Sequence, residues 1–143
     1  NNRAHTPINF PLIRYADVLL MLAECQNELG DQEGAVKLIN QVRARKSVEM
    51  PGINSGPDYL KATTKAEVFE RIRHERAVEL AGEGHSFSDM KRWKLLETLN
   101  GRTEKDITGR FRYTRVVTVR DYLWPIPADE IEKNDKLTQN PNW

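Results

Sequence analysis

Between residues 10 and 45 the apolar positions follow a helical period. Leu12, Tyr15, Leu19, Leu22 and Leu29 recur on one side, and Ala16, Val18, Leu20, Met21 and Ala23 fill the others. A helix apolar nearly all round is a buried one, so a buried first helix is expected from about Phe10, with Pro11 in its first turn. Gly30 stops it and Asp31 is placed to cap the next. The second helix shows a cleaner stripe of Ala35, Leu38, Ile39 and Val42, with Lys37, Gln41, Arg43 and Arg45 on the polar face. Two helices joined through Leu29-Gly30-Asp31 predict an antiparallel hairpin. Ala23 and Ala35 are small where tetratricopeptide-type hairpins cross closely, yet no second copy appears at a 34-residue period.

Residues 46–63 hold two prolines and two glycines between Pro51 and Pro57, which excludes a regular element. A loop of this length is long for a connection. Thr64-Lys65-Ala66-Glu67 has the form of a capping box and predicts a third helix. Its expected core face is Val68, Phe69, Ile72, Ala77, Leu80 and Ala81. Glu67, Arg71 and Glu75 stand at four-residue spacing and are expected to pair along the surface. Gly82 and Gly84 end it. A fourth helix from Phe87 to Leu96 presents Phe87, Met90 and Trp93. Residues 100–110 read as a polar loop, and Tyr113–Val119 as one short strand or extended arm. Trp124-Pro125-Ile126-Pro127 is extended by its prolines, a short helix follows from Ala128 to Asn134, and the tail from Leu137 has no period. The fold class expected is mostly α: a tetratricopeptide-like hairpin, further helices, long loops and at most a short strand pair, in one domain over residues 1–143.

Charge narrows the function classes. The 143 residues carry 22 Lys plus Arg against 21 Asp plus Glu, a net +1. Nucleic-acid binders and polybasic membrane-surface proteins need a basic excess or stripe, so neither is supported. No apolar run approaches 18 residues, and no segment reads as a membrane-spanning helix. Cys25 excludes an internal disulfide, and its apolar neighbours read as inert core. Catalytic chemistry is not assembled. His74-Glu75 lacks the second histidine one turn on that a helical zinc site requires, because that position is Val78. Glu75 and Glu79 lie beside arginines and no aromatic sugar platform adjoins them, unlike a glycosidase pair. No phosphate-binding glycine loop, nucleophile elbow or CxxC is present. Neither a metal nor another cofactor is expected. His85, between Gly84 and Ser86, is expected to be a buried, hydrogen-bonded corner. Trp93 and Trp124 are expected to be core anchors.

Several stretches together resemble the C-terminal region of the SusD/RagB family. They are Pro11 to Glu24, Ala35 to Arg45, Glu75-Arg76-Ala77-Val78-Glu79-Leu80-Ala81-Gly82-Glu83-Gly84-His85, Lys91-Arg92-Trp93, Tyr122 to Pro127, Glu130-Ile131 and Leu137 to Pro141. Order, spacing and final position all match. Ser86 and Ser88 depart from the pattern, where members often carry a large basic residue and an aromatic. The resemblance implies a surface-exposed outer-membrane lipoprotein of Bacteroidota, three to four times longer, with a helical tetratricopeptide scaffold. It implies binding of a glycan or other nutrient oligomer for import through a partner SusC-like TonB-dependent transporter. On this reading the chain is the C-terminal piece, and the lipid anchor and most helical repeats lie outside it.

The matched motifs are scaffold motifs and transfer no binding site. Within the chain the long loop offers a ligand Asn54, Asp58 and Tyr59, and Tyr59 is expected to be more exposed than Trp93 and Trp124. The alternative is a tetratricopeptide-like protein–protein interaction module, gripping a partner in an apolar groove on the Ala35/Ile39 side.

Overall fold

The computed structural model describes residues 12–143. The expected place of Pro11 in the first turn lies outside them. The chain packs as two compact units, one ending at Ser86 and one running from Phe87 to Trp143.

The first unit contains α1 (Tyr15–Glu28), α2 (Gln32–Arg43) and α3 (Lys65–Glu79). α1 and α2 form the expected tetratricopeptide-like hairpin, and α3 packs on both. Gly30 turns the chain at φ +92°, and Asp31 caps α2 by accepting from the Gly34 N–H at 2.8 Å. Ala23 and Ala35 are fully buried, as a close helix crossing requires. Ile39 beside Ala35 is fully buried too. The groove expected of a peptide-gripping hairpin on that side is therefore closed, because Val68 and Ile72 of α3 join the same core.

The long loop is a packed part of this core. Ile53, Leu60 and Ala62 are buried in the cluster formed by the three helices. Asn40 holds the loop from α2: its side chain accepts from the Ile53 N–H at 2.7 Å and donates to the Ile53 carbonyl at 3.0 Å. Fully buried Asn27 donates to the Lys65 carbonyl at 3.0 Å, tying the end of α1 to the start of α3.

α1 buries one face, not the whole cylinder. Leu19, Leu20 and Ala23 point inward, while Tyr15, Val18, Leu22, Cys25 and Leu29 are exposed in a stripe at three- and four-residue spacing. Cys25 is thus a surface thiol, not core, because α2 and α3 cover only the opposite side. Exposed apolar stripes promote association. The chain in reductant is expected to show a light-scattering mass that climbs above 16.5 kDa with concentration. A constant monomer mass would show that the stripe is tolerated in water.

Charged side chains complete the interior. Arg76 of α3 meets Asp17 of α1 at 2.8 Å, and Arg43 of α2 meets Glu75 of α3 at 2.7 Å, all four buried. Glu79 takes Arg14 at 2.8 Å and Arg45 at 2.6 Å, and Arg14 also reaches Glu83 at 2.7 Å. The surface pairing expected along α3 does not form. Glu75 turns inward to Arg43, Arg71 donates to the Tyr59 carbonyl, and Glu67 caps its own helix. Buried partners and free helix-end N–H groups outcompete exposed side-chain pairs of the same helix.

The Thr64/Glu67 capping box is present. Glu67 accepts from the Thr63 and Thr64 N–H groups at 2.9 and 3.0 Å, and these bonds, Thr63 first, hold its carboxyl down to about 2 from 4.5. A carboxyl lowered by folding stabilises the fold above its unfolded value and loses that contribution as pH falls through its folded one. Glu67→Gln keeps the acceptor but not the charge. Its melting temperature is expected below the parent's at pH 7, with the gap narrowing from about pH 4.5 and gone near pH 2. An equal gap at both ends would contradict this.

The second unit contains most of α4 (His85–Arg92), a hairpin of β1 (Thr103–Lys105) and β2 (Phe111–Thr114), and α5 (Ala128–Lys133). Single 3₁₀ turns sit at Leu96–Leu99 and Val119–Tyr122. The strands are antiparallel, with Thr103 opposite Thr114 and a bulge at Glu104/Lys105. The first strand falls inside the stretch expected to be loop. Asp106 builds the tip by accepting from the Thr108 and Arg110 N–H groups, and Gly109 takes φ +82°. The second strand stops at Thr114, before the β-branched run ends.

Two expected anchors differ from expectation. His85 opens α4 after Gly84 at φ +84° and is half-buried, not buried. Trp124 is 73% exposed. Its segment is fixed by its backbone, not by its indole. Gln139 bonds both the N–H and the carbonyl of Ile126 at 2.8 and 2.9 Å, and Asn140 donates to the Trp124 carbonyl at 2.6 Å. The aperiodic tail thus straps the proline segment and leaves the Trp124 ring in solvent. Trp93 is half-buried, with the Arg92 guanidinium 4.5 Å from its ring.

Candidate functional site

The three loop residues singled out from sequence do not converge. Asn54 sits at φ +62° and uses its amide to brace the loop, donating to the Ala62 carbonyl and accepting from the Ala62 N–H, each at 2.7 Å. What remains of it edges a hollow of about 180 Å³ with Gln32, Glu33 and Thr63. Asp58 is exposed and pairs with Lys61 at 2.8 Å. Tyr59 is 72% exposed and edges a different hollow of about 290 Å³, with Arg71, His74 and the Arg43–Glu75 pair. Its exposure equals that of Trp124, so the expected contrast between the two is absent.

The second unit gathers a richer surface. Phe87, Leu96, Leu99, Trp124 and Trp143 line a hollow of about 240 Å³, and Arg115 and Asp121 line it too. Trp124, Phe87 and Trp143 are all exposed. Trp143 is fixed in place: its indole N–H donates to the Leu123 carbonyl at 2.9 Å, and Arg120 stacks 4.7 Å from its ring. Arg115 is held by Glu104 at 2.7 Å, which raises its pKa above the ordinary guanidinium value and lowers that of the carboxyl. The hollow thus sets three exposed aromatic faces beside a fixed guanidinium and a carboxylate.

A cleft of about 610 Å³ also belongs to this unit, lined by Ser88, Lys91, Arg92, Lys94, Arg120 and Tyr122 among others. The Tyr122 hydroxyl donates to Glu97 and accepts from the Leu96 N–H at 3.1 Å. Desolvation first, and then Glu97, push its pKa above the ordinary phenol value.

The motifs that carry the resemblance meet in space. Arg14 and Asp17, Arg43 and Arg45, and Glu75, Arg76, Glu79 and Glu83 come from three separate stretches. They form the ion-pair network across α1, α2 and α3 described above. They are scaffold, and the sequence profile that contains them settles the family: the SusD family profile matches residues 1–143.

The chain belongs to the SusD family.

SusD-like protein P38 of Formosa agariphila is 34% identical over 138 residues, covering 92% of this chain and 24% of that protein. SusD-like protein P2 of the same organism is 33% identical, covering 98% and 27%. A crystal structure of a SusD-like protein from Bacteroides fragilis superposes with a TM-score of 0.76 at 32% identity, over 92% of this chain and 25% of that one. A SusD-like carbohydrate binding protein from Bacteroides fragilis gives 0.72 at 32% identity, over 93% and 31%. The chain spans about a quarter of the length of the curated relatives it matches.

The aromatic surface of this SusD-family chain was only half visible in its sequence. Trp124 reads as a core anchor and Phe87 as part of the apolar stripe of the fourth helix. Trp143 lies in the aperiodic tail and carried no signal beyond its being a tryptophan. The usable clue was the spacing of Gln139 and Asn140 from Ile126, which lets the tail fold back along the proline segment.

Proposed function

We propose that this chain takes part in non-catalytic binding of a glycan or similar nutrient oligomer at the cell surface. The observation that carries the reading is the exposed aromatic set of Trp124, Trp143 and Phe87 around one hollow, in a chain of the SusD family. A solved relative is described as a carbohydrate binding protein. Sugars stack their apolar ring faces on aromatic side chains and bond their hydroxyls to planar polar groups, and Arg115 and Asp121 stand beside the rings. Family membership further supports delivery of the ligand to a SusC-like TonB-dependent transporter, and attachment to the outer membrane through a lipid anchor.

The carboxylates that invite a hydrolytic reading are engaged otherwise: Glu75 by Arg43, and Glu79 by Arg14 and Arg45. Both side chains are thus spent on holding the three helices together. The interaction-module alternative loses its groove at Ala35 and Ile39.

The test is a panel of plant, algal and host polysaccharides in native affinity gels with the purified chain. Retardation by at least one polysaccharide, reversed by its soluble oligosaccharide, is expected. Unretarded migration across the panel would refute the reading.

A further inference from the structure

We infer that the ligand is an anionic glycan, and that the cleft lined by Lys91, Lys94 and Arg120 in the second unit is the subsite for its sulfate or carboxylate groups. The inference rests on the glycan reading above and names the class of sugar.

The cleft, about 610 Å³, is within the size range of small-molecule sites. Four cations line it; Arg92 is paired with Asp89, and among the described residues Lys91, Lys94 and Arg120 have no carboxylate partner. Lys91 lies 5.5 Å from the Phe87 ring centre, Lys94 4.8 Å from that of Tyr122, and Arg120 4.7 Å from that of Trp143. The nearby acids are already engaged, Asp89 by Arg92 at 2.9 Å and Glu97 by the Tyr122 hydroxyl. Elsewhere many basic side chains are matched by acids, Arg14, Arg43, Arg76 and Arg115 among them. A cluster of unmatched cations on aromatic supports is a pre-oriented anion site.

Arg120 connects the two surfaces. It lines the cleft and stacks on Trp143, which lines the aromatic hollow. A chain of sugars lying on the aromatic hollow would place its substituents toward the cations. Ser88 adds a hydroxyl to the lining and Asn142 an amide.

The backbone supplies an independent sign. α4 ends with the Leu95 N–H bonded to the Met90 carbonyl at 2.9 Å and the Lys94 N–H to the Lys91 carbonyl at 3.1 Å. That is the helix-ending motif whose left-handed position favours glycine. Here it is Lys94, at φ +57°. Asn142, in the same cleft, is also left-handed at φ +72°. Asparagine takes that conformation readily, so the costly one is Lys94, where glycine would be unstrained. Helix polarity alone favours cations at the end of α4, but it does not explain Arg120, which comes from a different element.

The test measures affinity of the chain for three oligosaccharides of equal length: a sulfated galactan, a polygalacturonate and a neutral galactan. At low salt at least one anionic sugar is expected to bind tenfold or more tightly than the neutral one. Which of the two prevails tells sulfate from carboxylate. The preference should collapse in 0.5 M NaCl, since exposed charges are screened there. Lys94→Gly relieves the backbone and removes one cation. It should weaken anionic binding about tenfold, leave neutral binding within twofold, and leave the melting temperature unchanged or higher. Arg120→Gln should likewise weaken the anionic sugar selectively. Equal affinity for charged and neutral sugars, or a Lys94→Gly variant that keeps the preference, overturns the inference while the glycan reading stands. Binding of none of the three, together with a blank polysaccharide panel, overturns both.

Discussion

Arg76→Met is expected to destabilise the chain by about 3–5 kcal/mol, because it leaves Asp17 in the interior without its guanidinium. The pair is nearly inaccessible, with 4% of the arginine and 7% of the aspartate side chain exposed. An uncompensated carboxylate there either stays charged in a poor solvent or takes up a proton, and both raise the energy of the folded state. Domains of this size are stable by about 5–15 kcal/mol in all, so the loss is large. The double variant Asp17→Leu/Arg76→Met removes both charges and should recover most of it, since a buried pair replaced by apolar groups is often neutral. Urea unfolding of the parent, both single variants and the double completes a thermodynamic cycle. A single variant within about 1 kcal/mol of the parent would show that water reaches Asp17 and that the network is not a structural requirement.

Trp124→Ala is expected to weaken glycan binding roughly 30-fold or more while leaving the melt within about 0.5 kcal/mol of the parent. The two halves of this expectation have one cause. At 73% exposure the indole contributes little to the core, and what holds its segment is backbone bonding to Gln139 and Asn140. The ring's area is therefore open to a ligand. Trp143→Ala is a less clean comparison, because that indole also bonds Leu123 and supports Arg120. Titration calorimetry with the best sugar from the polysaccharide panel, beside a thermal melt, separates the two effects. A large stability loss with unchanged affinity would return Trp124 to a structural role.

Much of the helical frame was legible along the chain. The hairpin, its Gly30 turn, the Asp31 cap and the Thr64/Glu67 capping box depend on residues a few positions apart. Local spacing is sufficient for them because their hydrogen bonds close within one turn. The family resemblance was legible for another reason: its motifs recur in order along the whole chain, and they hold the ion pairs that join three helices. The partners themselves were not legible. Arg43 and Glu75 belong on polar faces by periodicity, yet they are buried against each other across 32 positions of chain.

The sequence by itself determined the order of the helices, the hairpin and the family of the chain, since each rests on short-range spacing or on a pattern shared over its whole length. The ends of α1 and α4 fall elsewhere than expected from about Phe10 and from Phe87 to Leu96. Only the tertiary structure decided which apolar residues are core. α1 is apolar all round but buried on one side, so Cys25 and Leu22 are at the surface. Hydrophobicity states that a side chain would gain from burial and not whether a neighbour arrives to cover it. The same holds for Trp124, which reads as a core anchor and stands in solvent. The candidate site follows from this: its aromatics and cations are brought together by a tail without periodicity and by one helix end, through contacts that span 16 to 20 residues.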